Sequence, residues 1–167
     1  AKVLKAVIKR GALANVFIVG AITKGRAGRR LADFEGMAGE GAVGVSDDGS
    51  SVEDESLMLE GLKAAKKYSL TLIAHCEDAK ISNQGVVNQG FISTKMGLRG
   101  IPRQAEYERV KRDLGLAEKS KSGIHIAHVS SKESVDLIRR AKKKGVAVTA
   151  ETAPHYFALT EDCCVTY

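Results

Sequence analysis

The stretch Leu72-Ile73-Ala74-His75-Cys76-Glu77-Asp78 decides the fold. A run of branched and small apolar residues ends at a histidine, and polar residues able to start a helix follow at once. Two other stretches follow the same plan, namely Val45-Ser46-Asp47-Asp48-Gly49 and His125-Ile126-Ala127-His128-Val129-Ser130-Ser131. An α/β barrel carries its chemistry at the carboxyl ends of its parallel strands. The three stretches therefore predict an α/β fold with a polar site at one rim of the sheet.

Strand and helix patterns alternate along the rest of the chain. Strands are predicted over residues 15–23, 41–46, 70–75, 124–129 and 146–152, and helices over 1–10, 31–38, 51–68 and 105–119. Ser130 stands three residues before Glu133, as in a capping box, which predicts a further helix running to Lys144. This alternation is typical of a parallel sheet covered by helices on both faces. Five strands cannot close an eight-stranded barrel, so an open sheet and a part of a larger barrel both fit.

Composition and charge narrow the class of protein. The 167 residues are 44% hydrophobic and 28% charged, which suits one soluble globular domain. The net charge is +6, and its surplus falls largely in residues 2–10, 24–30, 63–67 and 139–144. These basic runs are not interleaved with aromatic residues, which favours a solvated surface over a nucleic-acid site. A basic balance suits an anionic small-molecule substrate.

Cysteine usage and hydropathy bear on location. The three cysteines are Cys76, Cys163 and Cys164, an odd number that argues against a disulfide framework and favours a reducing cytoplasm. No apolar run approaches the roughly 20 residues of a membrane span, so no membrane association is expected.

Metal-ligand chemistry is the hypothesis that the strand ends favour. Two imidazoles and a carboxylate at one rim can hold zinc, so His75, His128 and one of Asp47 and Asp48 are candidate ligands. Adjacent aspartates point in different directions, so only one is expected to reach a metal. Glu77 and Asp78 are candidate orienting groups for His75. His125, three residues before His128, should face the other side of a strand and be structural or exposed.

Other polar residues are weaker candidates. Cys76 is interpreted as a small buried residue rather than a nucleophile. Glu151 and His155 flank Pro154 and fit a packed loop better than a site. The glycine-rich segment 81–103 has no clear periodicity and follows the His75 strand, so a long loop over the same rim is expected.

Six short pieces, in this order and spacing, resemble the dihydroorotase family of the amidohydrolase superfamily. They are residues 16–23, Ser46-Asp47-Asp48-Gly49, His75-Cys76-Glu77-Asp78, Gly97-Leu98-Arg99-Gly100-Ile101-Pro102 with Glu106 after it, His128-Val129-Ser130-Ser131-Lys132-Glu133-Ser134, and Thr149-Ala150-Glu151-Thr152-Ala153-Pro154-His155. The resemblance implies a (β/α)₈ TIM barrel that binds zinc and interconverts N-carbamoyl-L-aspartate and dihydroorotate in pyrimidine biosynthesis. It implies Asp47 as a ligand bridging two metal positions, with Asp48 as the substitute, and His75 and His128 as imidazole ligands.

Several features of that family are missing from this sequence. They are the His-x-His-x-Arg motif after strand 1, the strand-8 aspartate that serves as ligand and proton carrier, and the arginine and asparagine that grip the substrate carboxylate. The chain is therefore expected to be an internal portion of the barrel, strands 3 to 7, within residues 1–167. No catalytic residue is assigned in it, and the chain alone is expected to be inactive. A homo-oligomer is compatible with the resemblance.

Three alternatives stay open. The first is a related cyclic amidohydrolase, a hydantoinase or allantoinase. Those enzymes usually place a carboxylated lysine at strand 4, and no lysine occurs in residues 41–49. The second is a catalytically dead, dihydroorotase-like scaffold domain, against which the retention of Asp47, His75 and His128 argues. The third is a basic nucleic-acid-binding module, for which no binding motif is present.

Overall fold

The computed structural model describes residues 1–165. Within them seven strands are formed: β1 Ile18–Gly20, β2 Ala42–Ser46, β3 Thr71–Ala74, β4 Val87–Asn88, β5 Gly100–Ile101, β6 Ile124–Ile126 and β7 Val148–Ala150. The same residues form eight α-helices: α1 Lys2–Gly11, α2 Phe34–Gly39, α3 Glu55–Lys67, α4 Ala79–Ser82, α5 Phe91–Lys95, α6 Gln104–Ser120, α7 Lys132–Lys143 and α8 Pro154–Ala158. Short 3₁₀ turns lie at Lys24–Arg26 and Glu161–Val165.

The main sheet confirms the predicted α/β architecture. Within residues 1–165 it has five strands in the order β1-β2-β3-β6-β7, and every neighbouring pair is parallel. Helical connections return the chain between successive strands of this sheet, as parallel pairing requires. Each strand lies inside the range predicted for it and is shorter, most clearly β1, which keeps three residues of the nine predicted.

The two faces of this sheet differ in burial. Val45 pairs with Leu72 across β2 and β3, and both are fully buried, as is Ile126 on β6. The alternate row runs Ser46, Ile73, His125 and Thr149 across four strands, and these residues are half-buried or exposed. Alternation along β3 places His75, the residue after Ala74, on the same side as Ile73. The candidate site therefore opens on the less covered face.

Helices α3, α6 and α7 cover the buried face of the sheet. The alternation of strands and helices predicted cover on both faces, whereas the row of residues on the other face is half-buried or exposed. Helix α3 begins at Asp54, whose carboxylate accepts a hydrogen bond from the Leu57 amide at 2.8 Å. Its Met58, Leu62 and Ala65 lie on one stripe and are 2%, 0% and 1% exposed. This apolar stripe packs into the same core as Leu72 and Ile126.

The start of α7 corrects one prediction. The residue that caps this helix is Ser131, whose side chain accepts from the Ser134 amide, and not Ser130. The Ser130 hydroxyl and amide are instead both bound to the carboxylate of Glu106. A partner from another helix has therefore displaced the local capping contact by one residue.

The segment 81–103 is more structured than the predicted loop. It contains the end of α4, the helix α5, and the strands β4 and β5, which pair in parallel as a separate two-stranded sheet. Both strands have two residues, too few to give a periodic sequence pattern. No continuous helix crosses residues 85–100.

No helix within residues 1–165 is both long enough and apolar enough to cross a bilayer.

Candidate metal centre

Three side chains from the loops after three neighbouring strands meet at one rim of the main sheet. Asp48 lies two residues after β2, His75 one residue after β3, and His128 two residues after β6. His75 Nδ1 is 2.9 Å from His128 Nε2 and 3.2 Å from Asp48 Oδ1, and His128 Nε2 is 3.3 Å from that same oxygen. Three atoms of types that can ligate a metal thus form a nearly equilateral triangle.

The size and chemistry of this triangle fit a metal ion. Two ligands of a tetrahedral zinc, each bound at about 2.0–2.1 Å, stand roughly 3.3 Å apart. The three observed separations of 2.9, 3.2 and 3.3 Å are close to that value. Two imidazole nitrogens and one carboxylate oxygen are also a donor set that zinc accepts in proteins.

Asp47, the first candidate among the two aspartates, has other partners. Its carboxylate accepts hydrogen bonds from the Ile22 amide at 2.8 Å, from the Thr23 amide at 3.1 Å and from the Thr23 hydroxyl. The residue is 3% exposed. Asp47 thus joins the end of β2 to the end of β1, and Asp48 is the aspartate that lies with the imidazoles. Adjacent residues at a strand end point to different sides, as the sequence led us to expect.

Two neighbouring contacts hold Asp48 in place. The guanidinium of Arg26 donates to the Asp48 carbonyl oxygen. Gly49 follows with a φ of 80°, a left-handed value that suits glycine, and the Ser50 amide then donates to the Asp47 carbonyl at 2.8 Å. This tight turn directs the Asp48 side chain toward His75 and His128.

Burial and neighbouring groups shift the pKa values of His75 and Asp48 toward the forms that bind a metal. Burial is the main cause that lowers the pKa of His75, and the nearby His128 adds to it, against the opposing effect of Asp48 and Glu77. Burial raises the pKa of Asp48, but the hydrogen bond with His128, the Gly49 amide and the two imidazoles outweigh it and lower that pKa. A neutral imidazole and an ionised carboxylate are the forms that bind metals.

Two groups lie close to His75: Glu77 from the same loop and Ser51 from the loop after β2. Glu77 Oε2 lies 3.9 Å from His75 Nε2, the ring nitrogen that faces away from the cluster. Ser51 accepts from the Glu77 amide at 3.0 Å, and its hydroxyl lies 2.6 Å from the His75 carbonyl oxygen. Glu77 thus lies near the second ring nitrogen of His75 but beyond hydrogen-bond distance, so its orienting role stays a prediction. The carboxylate of Asp78 instead caps α4 and pairs with Arg109, so Asp78 does not take the orienting role predicted for it.

His128 occupies a strained position. Its φ is 38°, in the left-handed region that residues other than glycine rarely adopt, and such residues cluster at functional sites. The strand ends at Ile126, so the alternation that was expected to separate His125 from His128 does not extend to His128. His125 remains on the sheet, where its Nδ1 lies 2.8 Å from the Thr149 hydroxyl.

The loop that carries His128 is bound by Glu106 of α6. Glu106 accepts from the amides of Ser130 and Ser131, at 3.0 and 2.9 Å, and from both of their hydroxyls. Burial raises the pKa of Glu106, but the hydrogen bonds from Ser130, Ser134 and Ser131 outweigh it and lower that pKa. No local motif assigns a role to Glu106. Its only signal in the sequence is that it follows the stretch from Gly97 to Pro102, which is one of the six pieces that resemble the dihydroorotase family.

Other candidates lie outside the cluster. Cys76 is 4% exposed, and burial, aided by Asp113, raises the pKa of its thiol well above the ordinary value. The thiol thus stays protonated, which fits a small buried residue rather than a nucleophile. His155 is exposed and its ring contacts Tyr156, and Glu151 lies 3.6 Å from His125.

Comparison with known proteins identifies the family. The model of the dihydro-orotase-like family matches residues 1–134. The chain belongs to the dihydro-orotase-like family. A dihydroorotase from Elusimicrobium minutum is 50% identical over 161 residues, which cover 96% of this chain and 37% of that protein. One from Acetivibrio thermocellus is 48% identical over 156 residues, 93% of this chain and 37% of that protein. The chain thus spans a little over a third of the length of these curated relatives.

Solved structures support the barrel fold. A D-hydantoinase matches with a TM-score of 0.64 and 25% identity, over 90% of this chain and 34% of that one. The D-hydantoinase from Bacillus sp. AR9 matches with a TM-score of 0.69 and 20% identity, over 96% of this chain and 38% of that one. This dihydro-orotase-like chain therefore has the fold of a partial (β/α)₈ barrel, as predicted.

Proposed function

We propose that Asp48, His75 and His128 form a zinc site that serves a dihydroorotase reaction, the reversible cyclisation of N-carbamoyl-L-aspartate to dihydroorotate. The observation that carries the proposal is the triangle of ligand atoms, with sides of 2.9, 3.2 and 3.3 Å. Membership of the dihydro-orotase-like family and relatives named dihydroorotase support the choice of reaction.

Within this proposal the bound metal would supply a Lewis acid for the ring carbonyl and activate water as a nucleophile. The residues of this chain would hold that ion in place. Asp48 and the two imidazoles would be its ligands, Glu77 faces the second nitrogen of His75, and Ser51 and Arg26 fix the loops. Asp47 takes a structural role in this assignment, in place of the bridging role that the resemblance gave it.

The five strands of the main sheet correspond, in the proposal, to strands 3 to 7 of the barrel. The proton carrier and the remaining metal ligands that the resemblance implies are absent from the 167-residue sequence. The chain alone should therefore bind zinc without turnover. An anionic small substrate, a cytoplasmic location and assembly into a homo-oligomer stay predictions.

Zinc titration and a turnover assay of the purified chain test this proposal. Calorimetry should show binding that is lost in His75→Ala and kept in His155→Ala, a matched control because His155 is exposed and outside the cluster. Assays with dihydroorotate should show no turnover. Turnover that disappears in His75→Ala would prove the account of the missing groups wrong, and binding unaffected by His75→Ala and His128→Ala would remove the metal assignment. Turnover of hydantoin instead would favour the related cyclic amidohydrolase.

A further inference from the structure

Helix α6 presents three polar residues to the loops that carry the two imidazoles. Glu106, Arg109 and Asp113 are spaced by three and four residues, which places them on one face of the helix. Arg109 and Asp113 are 4% and 1% exposed, and Glu106 is half-buried. Polar side chains at such depth need partners. Glu106 and Arg109 find theirs in the loops that follow the strands, whereas Asp113 pairs with the neighbouring Arg112 at 2.6 Å and also contacts Cys76.

The first contact is with the loop after β6. Both carboxylate oxygens of Glu106 are used there: Oε2 accepts from the amide and the hydroxyl of Ser130, and Oε1 accepts from the amide of Ser131 at 2.9 Å and its hydroxyl at 2.7 Å. These serines follow His128 by two and three residues. Four bonds to one ionised group fix the backbone just beyond the strained imidazole-bearing residue.

The second contact is with the loop after β3. Arg109 Nη2 lies 2.9 Å from Asp78 Oδ2, and the Asp78 amide donates to the Ala105 carbonyl at 2.8 Å. Closer to the imidazole, the Cys76 thiol lies 3.6 Å from Asp113 Oδ2. The residues that follow His75 are thus tied to the same face of the same helix.

We propose that helix α6 sets the separation of the two imidazoles and that Glu106 is the positioning residue for His128. A left-handed backbone at a histidine persists only where its surroundings over-determine it, and the bonds to Glu106 provide that constraint. The consequence for metal affinity rests on the proposed zinc function. The effect on the imidazole geometry does not, since it concerns the chain without metal.

The test compares Glu106→Gln with Glu108→Gln in the 167-residue chain. Glu108 is a matched control on the same helix. It is exposed, and the one ion pair that it forms within residues 1–165 is with Lys111. Glutamine has one acceptor oxygen instead of two, so some of the hydrogen bonds from Ser130 and Ser131 are lost. Zinc affinity by calorimetry should fall about 10-fold in Glu106→Gln, and bound Co²⁺ should show an altered visible spectrum. Glu108→Gln should match the parent chain in both.

A second readout separates this inference from the metal assignment. In the metal-free chain, Glu106→Gln should shift the imidazole nitrogen signals of His128 in NMR spectra, because its contact with His75 changes. A folded Glu106→Gln with unchanged His128 signals and unchanged zinc affinity overturns the inference. If the parent chain binds no zinc, the proposed function fails and the His128 signals alone decide. If Glu106→Gln does not fold, the double variant Ser130→Ala, Ser131→Ala replaces it and is judged by the same readouts.

Discussion

At the scale of single residues, the main finding is that two adjacent aspartates have different contacts and different roles. Asp47 is buried and bound to Ile22 and Thr23, whereas Asp48 lies beside both imidazoles. The sequence could place an aspartate at this strand end but left its identity open. The turn at Gly49, with its φ of 80°, decides which carboxylate faces the rim.

Alanine substitutions should separate the two roles. Asp48→Ala should remove zinc binding and leave stability nearly unchanged, because its carboxylate is mostly exposed. Asp47→Ala leaves two buried amides without an acceptor, so the free energy of unfolding should fall by about 2–3 kcal/mol while the folded protein still binds zinc. Calorimetry and urea unfolding measure both. Loss of zinc binding in Asp47→Ala but not in Asp48→Ala would reverse the assignment.

The carboxylate of Glu106 should make stability depend on pH. Its pKa is lowered from the ordinary value of 4.5, so its ionised form stabilises the fold above pH 4.5, and this contribution is lost as pH falls through the lowered pKa. Glu106→Gln should therefore be less stable than the parent chain at pH 7, and the difference should shrink in acid below pH 4.5. Urea unfolding across pH measures it. A difference independent of pH would mean that charge is not involved.

At the scale of elements, amphipathic helices were the most predictable part. The helix predicted over residues 51–68 contains α3, whose buried stripe is Met58, Leu62 and Ala65. Long helices carry enough periodicity to be recognised. The strands β4 and β5 were not predictable, because two residues give no alternation. The cap of α7 was misplaced by one residue, since the pattern around Ser130 contains no information about Glu106, 24 residues earlier.

The N-terminal cap of α3 offers a direct test at this scale. Asp54→Ala removes the acceptor for the Leu57 amide, so the free energy of unfolding should fall by about 1 kcal/mol. Glu60→Ala, at an exposed position within the same helix, is the control and should change it by less than about 0.5 kcal/mol. Equal effects of the two substitutions would show that the cap contributes nothing specific.

At the scale of the whole molecule, the site depends on bringing distant loops together. Asp48 and His128 are 80 residues apart in sequence, and the parallel order of β2, β3 and β6 places their loops side by side. The closeness of these loops could be predicted from the sequence, because the carboxyl ends of parallel strands share one rim. The hydrogen bonds of Ser51, Arg26 and Glu106 could not be predicted, since they join loops through side chains that belong to no local sequence pattern.

Zinc should stabilise the folded chain if its ligands come from three loops. A metal that binds only the folded state adds roughly 2.7 kcal/mol at a concentration 100 times its dissociation constant. Thermal unfolding of the parent chain should therefore move to higher temperature with zinc, and His128→Ala should show no such shift. An equal shift in His128→Ala would place the zinc elsewhere.

X-ray absorption at the zinc edge of the zinc-loaded 167-residue chain tests most directly whether Asp48, His75 and His128 hold the metal. Two imidazoles are expected, with nitrogen and oxygen ligands at about 2.0–2.1 Å and no sulfur. His75→Ala should bind no zinc at this site, so the imidazole scattering should be absent from that variant treated in the same way. A sulfur ligand at about 2.3 Å, or a spectrum without imidazole scattering, would contradict the assignment of Asp48, His75 and His128 as the metal centre.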